Sequence, residues 1–156
     1  MGIIRVVTGA AGAPTKMASY DAALADAGIH NYNLVTVSSV VPTDATVEFV
    51  GTAPDLGPAG ERLTVVEARA TISEVGRAAA GLGWATGPGP GLFYEATGTD
   101  ADSVRSRVEA GLDAGADLRE WTLDERRVEV TTADHDGEGF ATALTVAVYG
   151  ESDPIL

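Results

Sequence analysis

An α+β sandwich, with helices covering mainly antiparallel sheets, is the fold class this sequence predicts, and three observations carry the prediction. Seven or eight short runs are rich in β-branched and aromatic residues, several with period-two alternation. Two segments space their apolar residues as helices do. Glycine and proline clusters separate these segments, and no repeat or internal boundary interrupts the 156 residues, so one domain is expected.

The elements follow in order. IIRVVTG (3–9) is a short buried strand ending at glycine, and AAGAPTK (10–16) a loop. Residues 18–27 place Tyr20, Ala23, Leu24 and Ala27 on one helical face, with Gly28 as a C-cap. NYNLVTVSSVVP (31–42) reads as one strand stopped by Pro42. ATVEFVG (45–51) alternates as a strand, TAPDLGPAGERL (52–63) is a surface loop, and TVVEARATIS (64–73) is a strand. EVGRAAAGLGWATGPGPG (74–91) is ambiguous: its alanines suit a helix, while Gly76, Gly81 and Gly83 suit a tightly packed strand. GLFYEATG (91–98) is strand-like. A second helix runs over 100–114, capped by Thr99 or Asp100, with Val104, Val108 and Leu112 on one face and Gly115 at its end. DLREWTL (117–123) and RRVEVTT (126–132) read as strands, ADHDGEG (133–139) as a turn, and FATALTVAVYG (140–150) as the last strand.

Composition excludes several functions. The chain has no cysteine, which removes disulfides, thiolate metal sites and cysteine nucleophiles. His30 and His135 show no ligand-like spacing, so no metal is expected. Acids outnumber bases 23 to 10, Lys16 is the only lysine, and the net charge of -13 argues against nucleic acid. Acids spread along the whole chain suit a protein held soluble in a salty cytosol, where salt screens self-repulsion. No apolar run approaches the roughly 20 residues of a membrane span, and MGIIRVVTGAAG lacks the pattern of a signal peptide. The expectation is a cytoplasmic, halophile-like protein without a membrane partner.

Three motifs resemble sites only superficially. GAAGAPTK (9–16) departs from the spacing of both phosphate-binding glycine loops and reads as a tight turn. DHDGE (134–138) lacks the third acid and closing glutamate of a calcium loop. No Gly-x-Ser-x-Gly elbow supports a serine hydrolase.

What remains is a pair of hydroxyls, Ser38 and Ser39, near the apolar end of the 31–42 run. Most serine pairs bond local backbone. Here the surrounding segment, YDAALADAGIHNYNLVTVSSVVP (20–42), resembles the processing site of the pyruvoyl-dependent arginine decarboxylases: an aromatic-Asp-x-Ala-Leu-x-x-Ala-Gly-Ile helix, then Asn-x-Asn-Leu, then Ser-Ser-Val. The likeness continues more weakly through GLFYEATG, LREWTLDERRVEV and the last strand. One departure is Thr43, where relatives often carry a second proline after Pro42.

The resemblance implies a four-layer αββα sandwich and a chemistry that needs both serines. The Ser39 hydroxyl attacks the Ser38 carbonyl to give an ester; elimination cuts the chain and leaves dehydroalanine, which hydrolyses to a pyruvoyl group and ammonia. The products are a β chain, 1–38, and an α chain, 39–156, capped by pyruvoyl at Ser39. That covalent cofactor replaces pyridoxal phosphate: its ketone forms a Schiff base with L-arginine, and its adjacent carbonyl takes the electrons freed with CO2, leading to agmatine. Glu95 is implied to return a proton to Cα, with apolar neighbours such as Phe93 and Leu92 raising its pKa. Asn33 is implied to assist self-cleavage, and Asp21 to bind the substrate guanidinium. Six residues of strand put Asn33 roughly 20 Å from Ser39, so Asn33 is expected to serve a neighbouring subunit; the family's trimers of αβ units agree. Without the resemblance, Asp21 reads as a first-turn acid facing the helix dipole and Glu95 as a strand-end acid. Competing readings are a pyruvoyl decarboxylase of another amino acid, an unprocessed relative acting as an oligomer partner, and a nucleotide-binding protein using residues 9–16.

Overall fold

The computed structural model describes residues 2–156. Its elements are β1 (Gly2–Ala13), α1 (Lys16–Ala27), β2 (Asn33–Thr36), β3 (Val40–Val41), β4 (Ala45–Gly51), β5 (Arg62–Ile72), β6 (Gly76–Thr86), β7 (Gly91–Gly98), α2 (Ala101–Asp117), β8 (Glu125–His135) and β9 (Phe140–Tyr149). They form a five-stranded sheet ordered β2-β5-β9-β1-β4 and a four-stranded sheet ordered β3-β7-β6-β8. Among the described residues only β1–β4 and β2–β5 pair in parallel. The expected α+β sandwich of mainly antiparallel sheets flanked by helices is borne out.

Alternation along the strands builds three apolar layers. On β9, Leu144, Val146 and Val148 face α1, where they meet Ala23, Leu24 and Ala27. The intervening residues face the other sheet. There small side chains dominate one end, including Ala68, Ala80, Ala141 and Ala143. Bulky ones fill the opposite end, including Leu82, Trp84 and Phe93. The third layer packs α2, through Val104, Val108 and Leu112, onto Ala79, Ala85 and Leu92.

Both helices show the expected faces. Thr15 caps α1 by accepting the Ala18 N–H, and Gly28 closes it in the left-handed region at φ 82°. Asp100 caps α2. The ambiguous 74–91 segment is strand β6, because its glycines admit a helix: a Cβ on Gly83 would lie 2.5 Å from a Val108 methyl, and one on Gly81 2.6 Å from a Val104 methyl.

Five boundaries differ from the sequence reading. Residues 10–13 are strand, not loop, since Ala10–Ala13 stay paired with Phe140–Ala143; small residues hide that pairing from periodicity. The α2 helix passes Gly115 and ends at Asp117, because Gly115 packs beneath Leu92 instead of taking a left-handed turn. Residues 118–124 form no strand; Trp121 and Leu123 still pack into the α2 layer, and the Thr122 carbonyl lies against Gly87. Ala133–His135 belong to β8, paired with β6 out to Gly76. Most consequentially, the 31–42 run is not one strand: β2 joins the five-stranded sheet and β3 the four-stranded one.

Candidate active site

Residues 37–39 form the crossing between those two sheets, and the crossing is anchored at both ends. The Val37 N–H donates to the Val65 carbonyl on β5 at 2.9 Å, and the Phe93 N–H on β7 donates to the Ser39 carbonyl at 2.7 Å. The Ser38–Ser39 peptide lies between the anchors, outside any strand. Ser38 is exposed and Ser39 half-buried. Ser39 also lines a cavity of about 260 Å³ together with Leu92, Tyr94, Gly115 and Arg119. The Ser38–Ser39 peptide is thus outside any ladder and flanked on both sides by backbone hydrogen bonds.

Glu95 lies on the same strand as Phe93. Leu92 and Ala96 belong to the α2 layer, while Phe93 belongs to the layer between the sheets. Alternation therefore puts Glu95 on the intersheet side with Phe93, opposite Leu82. Two residues of strand set it roughly 7 Å along β7 from the Ser39 contact. β3 pairs only with Gly91 and Leu92, so the β7 edge at Glu95 has no neighbouring strand. Glu95 is consequently an exposed residue overall, desolvated only on the side that faces the sheet. That partial burial raises its carboxyl above the ordinary carboxylate range, in the direction expected.

Asn33 opens β2 on the other sheet. Its side-chain amide donates to the Gly60 carbonyl at 2.7 Å, and its backbone N–H to the Glu61 carbonyl at 2.9 Å. Within one chain it therefore braces the 57–61 turn, and no hydrogen bond links it to Ser39. Asp21 is exposed on α1, which covers the far side of the five-stranded sheet from β3 and β7. It sits in the second turn, so the alternative first-turn role does not apply: the helix starts at Lys16 and its first turn holds no acid. Ser39 and Glu95 thus both border β7, Ser39 through the Phe93 N–H and Glu95 two residues further along the strand, outside the cavity that Ser39 lines; Asn33 and Asp21 lie on other surfaces.

The decoys resolve as turns and strands. The Ala10 N–H, which a bound phosphate would need, donates to the Asp26 carboxylate at 3.0 Å. Near DHDGE, Asp134 pairs with Arg77 at 2.7 Å and Asp136 accepts the Glu138 N–H. Among the described residues no group of three or more His, Asp and Glu side chains is placed to hold a metal. None of the helices there is long and apolar enough to cross a membrane.

Sequence reasoning missed two contributors. The Phe93 N–H is a backbone group and carries no residue signal. Tyr149, whose hydroxyl donates to the Val40 carbonyl at 2.9 Å, looked only like the end of an apolar strand.

Comparison with known proteins agrees with this geometry. The family model described as pyruvoyl-dependent arginine decarboxylase matches residues 3–154. A protein of that name from Halobacterium salinarum is 55% identical over 154 residues, covering 97% of this chain and 96% of its own. Namesakes from Pyrococcus horikoshii and Methanopyrus kandleri are 34% and 33% identical, covering 89% and 93% of this chain and 91% and 95% of theirs. With the match spanning both sheets and the anchored Ser38–Ser39 crossing, the chain belongs to the pyruvoyl-dependent arginine decarboxylase family.

Proposed function

We propose that this protein decarboxylates L-arginine to agmatine and CO2, using a pyruvoyl group that it makes from Ser39. The observation that carries the proposal is the Ser38–Ser39 peptide suspended between the Val65 and Phe93 anchors. Holding the Ser39 carbonyl restricts the backbone beside the bond to be cut. Attack on the Ser38 carbonyl gives an ester, loss of the Ser39 Cα proton expels the Ser38 carboxylate, and water converts the resulting dehydroalanine to pyruvoyl and ammonia. The cut separates 1–38 from 39–156.

The residues around Ser39 fit such a group. When formed, it supplies a ketone for the substrate amine and a neighbouring carbonyl for the electron pair left by CO2. That neighbouring carbonyl is the Ser39 carbonyl, and the Phe93 N–H already donates to it; a fixed donor at a site of developing charge is the strongest single aid a protein offers. Glu95, kept protonated more readily by its partial burial, holds the proton destined for the substrate Cα.

Asn33 and Asp21 complete the site from a neighbouring subunit in this proposal. Two features favour that arrangement: neither hydrogen-bonds to Ser39 in its own chain, and exposed apolar side chains line the edges there, Val35 on β2, Val37 in the crossing and Val40 on β3. A homotrimer of αβ units would cover those edges, and Asp21 would meet the guanidinium as a carboxylate partner. The acidic, nearly lysine-free composition suits a cytoplasmic enzyme working in high salt.

Intact-mass spectrometry of the purified protein tests the proposal. Two species ending and beginning at the Ser38–Ser39 bond are expected, the longer lacking a free amine and gaining a covalent amine adduct under borohydride only when arginine is present. A single 156-residue species without a trappable ketone would overturn it.

A further inference from the structure

We infer that Tyr149 is a positioning residue that holds the Ser39–Val41 segment in place once the chain is cut. The inference rests on the reading of Ser39 as the processed residue. Cutting at Ser38–Ser39 discards the Val37–Val65 anchor and turns residue 39 into a chain start. What remains of β3 is two residues, Val40 opposite Leu92 and Val41 opposite Gly91. Pro42 then lacks an N–H, and Asp44 turns the chain at φ 71°. Chain starts on so short an edge strand fray, yet this one must hold a reactive carbonyl against the Phe93 N–H.

The ladder leaves the Val40 backbone unpaired with β7. With Phe93 donating to Ser39, the pair Val40–Leu92 is the non-hydrogen-bonded one, so the Val40 carbonyl turns away from β7. The Tyr149 hydroxyl meets it at 2.9 Å. Tyr149 ends β9, pairs with Ile4 of β1, and lays its ring 6.1 Å from that of Phe93. The hydroxyl therefore ties the new chain start to the central strands of the facing sheet, beside the residue whose backbone N–H anchors Ser39. Burial raises the Tyr149 hydroxyl to about 12, so it remains a donor across the neutral range.

Removing only the hydroxyl isolates this role. Tyr149→Phe should still be fully processed by mass spectrometry, because before the cut the segment is held from both sides. After processing, the Val41 amide should exchange with deuterium about 10-fold faster, and kcat should fall about 10-fold with KM changed less than two-fold, as expected for a misplaced reacting group. In a Ser39→Ala background, which stays uncut, Tyr149→Phe should leave Val41 exchange unchanged. Wild-type exchange and kcat in processed Tyr149→Phe would overturn the inference. So would equal acceleration in the uncut background, loss of processing, or loss of fold by circular dichroism, since each gives the hydroxyl another role. If the parent protein itself is never cut, it is the assignment of Ser39 that fails, and the uncut parent reports this before any Tyr149 variant is made.

Discussion

The Ser39 carbonyl and the Phe93 amide meet at 2.7 Å across the junction of β3 and β7. This contact joins the residue proposed to be cut to the strand that carries Glu95. It uses backbone alone, so replacing the Ser39 side chain leaves it intact. Ser39→Ala should therefore fold with a stability change within about 0.5 kcal/mol, remain one chain on a denaturing gel and show no decarboxylation. A destabilised variant in thermal melts would mean that the hydroxyl is structural.

Glu95 links pH to both stability and rate. Its carboxyl is raised by burial, so the folded state prefers the protonated form. Below the ordinary carboxylate range, near pH 4, folded and unfolded states both carry the proton and nothing is lost. As pH rises through the raised value, the folded state keeps a poorly solvated charge and loses stability. Glu95→Gln should melt slightly higher than the parent at pH 7 and equally below about pH 4. The same variant should self-cleave normally and lose at least about 100-fold in kcat. Full turnover would remove Glu95 from proton transfer.

Asn33 offers a test of shared sites. If it serves the neighbouring subunit, Asn33→Ala and Ser39→Ala should each stay uncut alone. Co-folded, the two should yield cut Asn33→Ala chains, since the Ser39→Ala partner donates its asparagine. Mass spectrometry distinguishes the two chains; absence of any cut chain in the mixture would place Asn33 within its own subunit's site.

The close approach of α2 to β6 predicts a sharp packing penalty. A methyl at Gly83 would meet Val108 at 2.5 Å and Leu112 at 3.0 Å, both at the centre of that layer. Gly83→Ala should cost about 1–3 kcal/mol, measured by urea unfolding. Gly89, whose added Cβ meets nothing within 4 Å, is the control and should change little.

The net charge of -13 predicts salt-dependent stability. Raising KCl from about 0.1 M to about 1 M shortens the screening length from roughly 10 Å to 3 Å and relieves self-repulsion. The melting temperature should climb over that range. A flat or falling response would show that repulsion among the surface acids is not limiting.

The helical faces of α1 and α2, the strands β4, β7 and β9, and the serine pair with its flanking residues were all legible from residue order alone. Each of these signals is local: apolar spacing, a capping residue or a run of residue types within a few turns of chain. The tertiary structure alone decided that the 31–42 run divides between two sheets. Alternation says that a segment is extended, not which strands it joins, and β2 and β3 find their partners on β5 and β7, far along the chain. For the same reason the Phe93 and Tyr149 contacts to Ser39 and Val40 were invisible beforehand. Both end on backbone carbonyls, which every residue carries alike, so only folding could select them.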